Sequence, residues 1–99
     1  MPEKKFKIPT AEGEKSILID NKALFRFEEI HNQPAIQVLL SGGMGARAIN
    51  HFVWAGLQHE DESIHIDDVL KMVRLKDHKQ IGNTIMKALE AAFEMEEKS

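Results

Sequence analysis

Three glycines in four positions, Gly42, Gly43 and Gly45, separate the apolar run AIQVLL from a second apolar segment, INHFVWAGL. A glycine-rich loop that opens a helix can bring backbone N–H groups against a phosphate. The stretch GMGARA, Gly43 to Ala48, fits the relaxed dinucleotide pattern of two glycines followed by a small residue. Asp67 lies about 20 residues further on, after SIHI, where such a unit places an acid for a ribose hydroxyl. A Walker loop is not encoded, since no Gly-Lys-Ser/Thr follows and Arg47 stands alone.

Metal chemistry would draw on the five histidines, His31, His51, His59, His65 and His78, and on the acids of HEDESIHIDD. His59 and His65 do not have the i, i+4 spacing of a helical zinc pair, and no oxygen-rich calcium loop is present. Nucleophilic catalysis has less to draw on. The chain contains no cysteine and no nucleophile elbow, and its serines, histidines and acids are scattered. The expectation is a non-enzymatic protein with no cofactor and no metal.

These groups depend on the elements that position them. KKFKI and SILI, on either side of TAEGEK, alternate Phe6 with Ile8 and Ile17 with Ile19, which predicts a β-hairpin over residues 1–20. Gly13 relaxes the turn, and Pro9 ends the first strand or marks it as an edge. Asp20 or Asn21 caps a helix through KALFRFEEIH, with Leu24, Phe27 and Ile30 or His31 on one face; Asn32 and Pro34 stop it. AIQVLL reads as a short helix after Pro34, with Ile36, Leu39 and Leu40 inward. A helix follows from about Ala46 to Leu57, striped by Ile49, Phe52, Val53 and Leu57. Another begins near Ser63 or His65 with Asp67 and Asp68 in its first turn and Val69, Met72 and Val73 as its stripe. The last helix runs from Asp77 to about Met95, with Ile81, Ile85, Leu89 and Phe93 four apart and an acidic end expected to fray.

The predicted fold is therefore mainly α with a small N-terminal β-hairpin (α+β). It is one domain over residues 1–99, with a bundle of four to five helices over 21–96. That architecture works against the dinucleotide reading, which needs several parallel strands. A helix at residues 35–40 would eliminate it. A small helix-turn-helix DNA-binding regulator is the alternative function, with ARAINHFVWAGL as recognition helix offering Arg47, Asn50 and His51.

Ninety-nine residues hold one core, and 42% hydrophobic with 29% charged residues is a globular balance. The net charge of −3 does not suit a nonspecific nucleic-acid binder. No stretch approaches the roughly 20 apolar residues of a membrane span, and the N-terminus lacks the apolar run of a signal peptide. A cytoplasmic, unexported protein is expected, with no membrane, nucleic-acid or small-molecule partner. Large apolar side chains are abundant, and methionines with aromatics mark adaptable binding surfaces. Phe25, Met44, Trp54, Leu57 and Phe93 are the candidate partner-binding residues.

The order of KALFRFEEIHNQ, INHFVWAGLQHEDESIHIDDVLKMV and IGNTIMKALEAAFE, spanning Leu18 to Phe93, resembles the tail assembly chaperones of long-tailed phages and prophages. His65 stands where a capping Ser or Thr is usual in that family, and Asn32 where glycine is frequent. The resemblance implies a small, mostly helical cytoplasmic protein that binds the tape measure protein, through its helical segments, during tail assembly and is absent from the finished particle; self-association is a further expectation. The resemblance also implies that a translational frameshift can produce a longer form.

Overall fold

In the computed structural model, which describes residues 4–97, the chain begins with an antiparallel hairpin of β1 (Lys5–Thr10) and β2 (Gly13–Leu18). Phe6 pairs with Ile17, and Thr10 with Gly13 across a two-residue connection. The connection is held by Thr10, whose hydroxyl donates to the Gly13 carbonyl (2.6 Å) and accepts from Glu12 N–H (3.1 Å). Gly13 has φ +99°, a conformation that L side chains rarely adopt. β1 continues through Pro9, which a two-stranded ribbon tolerates because both strands are edges.

Five helices follow among the described residues: α1 (Asn21–His31), α2 (Ala35–Leu40), α3 (Ala46–Leu57), α4 (Ile66–Met72) and α5 (His78–Glu97). A 3₁₀ turn at Leu75–Asp77 leads into α5. The protein is mainly helical with an N-terminal hairpin, the α+β architecture expected from its periodicities.

Asp20 starts α1, its carboxylate accepting from Ala23 N–H at 2.9 Å. Asn32 ends it in the left-handed region (φ 59°, ψ 27°), which Asn tolerates better than most residues, and its N–H bonds the Glu28 carbonyl at 3.2 Å. α3 starts and ends where the sequence predicts. It is also the hub of the fold, contacting α1, α4, α5 and β2. Phe27 of α1 stacks on Phe52 of α3 with ring centroids 3.6 Å apart and planes 8° from parallel. Ile8 and Ile17 from the hairpin, Val69 from α4, and Ile81, Ile85 and Leu89 from α5 complete one continuous core around these rings.

α2 departs from expectation. Ile36 and Leu40 were expected inward, yet they are 40% and 77% exposed, while Ala35 and Val38 are buried and Leu39 is partly buried. At 100° per residue, positions 35, 38 and 39 form one face, and 36 and 40 lie together on the other. The fold buries the first. Glu28, at the end of α1, sets the start of α2 by accepting from Ala35 N–H at 2.7 Å. The glycine stretch then turns the chain. Ser41 Oγ bonds the carbonyls of Val38 (2.8 Å) and Gly43 (2.9 Å), and Gly42 takes φ +79°.

The stripe of α5 is as predicted at Ile81, Ile85 and Leu89, while Phe93 is only partly buried. α5 extends to Glu97 rather than Met95, and its side chains from residue 95 onward lie outside the described residues, as does much of the acidic end expected to fray.

Candidate functional site

The motifs that promised chemistry resolve into structural roles. Ala35–Leu40 is a helix, not a strand, so the glycine loop does not join a β-strand to a helix and the dinucleotide unit is not formed. The loop carries two jobs instead: Gly42 finishes the turn after α2, and Gly45 precedes α3 in an extended conformation. α3 cannot serve as a recognition helix, because most of its residues, Asn50 included, are buried against four other elements. Arg47 is committed locally. Its guanidinium donates to the carbonyls of Ile30 and His31, both at 3.3 Å, and so caps the C-terminal end of α1.

The histidines do not gather. Among the described residues, no three His, Cys, Asp or Glu side chains converge. His59 Nε2–H donates to the Ser16 carbonyl of β2 at 2.8 Å. His65 precedes α4, and its backbone N–H donates to the Asp68 carboxylate at 3.1 Å, half of a capping box. Asp61 accepts from both the N–H and the hydroxyl of Ser63, which holds its carboxyl below the usual range; it is an exposed turn residue.

His31 and His51 do meet. Their Nδ1 atoms lie 3.0 Å apart, with the rings edge to face, at the C-terminal end of α1 and the middle of α3. His31 also stacks on Phe27, which extends the Phe27–Phe52 column to the edge of the core. One Nδ1 must donate and the other accept, so at most one of the two rings is protonated in the bonded form. Burial, then the Arg47 charge, pushes both histidines below their ordinary value, and at His51 the charge of His31 adds to this. Among the described residues, no acid is bonded to the pair to make it a relay.

The five residues expected to face a partner occupy separate places. Phe25 projects from α1 and is 69% exposed. Leu57 is a correction: it is buried in the core, and it borders the same small pocket as Ile64 and Met72. Trp54 packs partly against the core, and its indole N–H donates to the Ile64 carbonyl at 3.0 Å. Phe93 lines a shallow apolar groove of about 200 Å³ with Phe6, Ile19, Leu24 and Ala92. Met44 leans over Gly82 of α5, so that a Cβ on Gly82 would come within 3.9 Å of Met44 Cγ.

Met44 also borders an open cleft of about 720 Å³ beside the glycine loop, together with His31, Gln37, Leu40, Arg47 and Ala48. This cleft and the outer side of α2 form the most distinctive surface. Leu40 stands at its lip, and Ile36 lies one turn back along the same face of the helix. Sequence reasoning missed both residues as surface groups. The available signal was that AIQVLL contains one polar residue, so any orientation leaves some large apolar side chain outside. The cleft is also distinct in charge, since Arg47 lines it and no Asp or Glu does.

No protein-family model matches the chain, and comparison with curated proteins and with solved structures returned no match for either.

Proposed function

We propose that the chain is a non-enzymatic tail assembly chaperone of a long-tailed phage or prophage, which binds the tape measure protein and keeps it soluble while the tail is built. The sequence resemblance from Leu18 to Phe93 supports this reading. The observation that carries it is the outer face of α2, where Ile36 and Leu40 stand exposed on a helix whose opposite face already serves the core. A helix that is apolar all round belongs between two surfaces, and α2 has a neighbour on one side. A chaperone for a long amphipathic partner needs such a face, and the net charge of −3 keeps the free protein dispersed.

The test is co-expression with the product of the neighbouring long open reading frame. Recovery of that product in the soluble fraction, co-purifying with this chain, is the expected result. If it remains insoluble and no complex forms, the chaperone reading fails.

A further inference from the structure

We infer that the α2 face docks the apolar side of an acidic amphipathic helix. The inference rests on reading the chain as a protein-binding module and adds the location of the contact and the chemistry of its partner.

Shape and apolarity come from Ile36 and Leu40, an i, i+4 pair on α2, continued by Met44 across the glycine bend. Two exposed anchors one helical turn apart, beside an open cleft, match the spacing of apolar residues along one side of a partner helix. Charge selects which helix. The chain carries 16 acidic and 13 basic residues, yet no Asp or Glu lines the cleft, where Arg47 does, and the Glu28 carboxylate sits at the opposite end of α2 from Leu40, on Ala35 N–H.

The positive side chain lining this cleft is Arg47, and Lys79 lies about one turn along α5 from the point where Met44 leans. Arg47 lines the cleft, and among the described residues no carboxylate pairs with it. Lys79 is exposed, and its i, i+3 spacing makes it a helical neighbour of Gly82. α3 adds the positive end of its dipole, since it has no capping side chain and no acid in its first turn. A partner bearing Glu or Asp beside its apolar stripe gains from all three; one bearing Lys or Arg is repelled by them.

The experiment uses the full chain, isotope-labelled for NMR, and two synthetic helical peptides that share one Leu-rich face and differ only in having Glu or Lys on the polar face. The Glu peptide is expected to bind, to shift the amide signals of Ile36, Leu40 and Met44, and to bind less tightly as salt is raised. Leu40→Glu is expected to weaken it by about tenfold or more, Lys79→Gln by a smaller factor, and Leu70→Glu, at an exposed leucine of α4, not at all. Leu40 is already solvent-facing, so its variant should remain folded, which the unperturbed amide spectrum of the core will verify. Equal or tighter binding of the Lys peptide overturns the inference. So does indifference to Leu40→Glu, or a concentration-dependent dimer that Ile36→Glu dissolves, since a second copy would then be the occupant. If Leu40→Glu still solubilises the tape measure protein, this docking face is wrong and the chaperone reading stands. If the unaltered chain fails to hold that protein, the chaperone reading falls, and the peptide titration still decides the face.

Discussion

His31 and His51 share one hydrogen bond, Nδ1 to Nδ1 at 3.0 Å, although twenty positions separate them in the chain. The bond needs one nitrogen without a proton, so protonating both rings breaks it and places two like charges beside Arg47. Burial and that guanidinium lower both affinities for protons in the folded state, while in the unfolded chain each histidine returns to about 6.5. The unfolded state therefore binds more protons, and stability rises with pH across this window. The contribution is fully present above about 6.5 and is lost as pH falls through the lower folded values. Urea midpoints should drop between about pH 8 and pH 5. His51→Gln, which can still bond the His31 ring, should flatten that dependence; an unchanged slope in the variant would remove the pair as its source.

Gly56 sits so close to the hairpin that a Cβ there would come within 2.8 Å of Ile17 Cβ. That carbon is attached directly to the backbone of β2 and cannot swing aside. Overpacking of this kind costs about 1–3 kcal/mol, and the roughly 1 kcal/mol that alanine gains over glycine in a helix interior is reduced so near the end of α3. Gly56→Ala should lower the melting temperature. A gain in stability would mean that β2 and α3 are less tightly seated than this contact implies.

Asp20→Ala removes the only side-chain acceptor for Ala23 N–H and should cost about 1 kcal/mol in chemical denaturation. Glu28→Ala acts on the other cap. It frees Ala35 N–H, and amide exchange in α2 should accelerate more than in α3.

Much of this was legible in the chain because it is local. Asp20 announces a cap, the stripe of α3 marks both of its ends, and Ile81, Ile85 and Leu89 repeat on one side of a long helix. α2 was not legible in the same way, since five of its six residues are apolar and leave no contrast from which to choose a face. Leu57 belonged to the stripe of α3 and also looked like a surface anchor; its place in the core was decided by tertiary packing at the end of α3. The pairing of His31 with His51 required α1 and α3 to be side by side, which no spacing between the two residues encodes.

Phe52 is fully buried in the aromatic column, and Phe52→Ala should cost about 3–5 kcal/mol. Leu40→Glu should leave denaturation midpoints nearly unchanged, as surface substitutions usually do. Measured side by side, the two separate the residues that hold the protein together from those it offers outward. A large loss at Leu40 would place that residue in the first group.

Trp54, bonded through its indole N–H to the Ile64 carbonyl, is the sole tryptophan of a chain that has no tyrosine. The protein thus carries one intrinsic fluorophore whose emission arises at the clasp between α3 and the segment leading into α4. Opening of that clasp exposes the ring to water and shifts its emission to the red, so an event confined to this corner can be followed in real time without attaching a label.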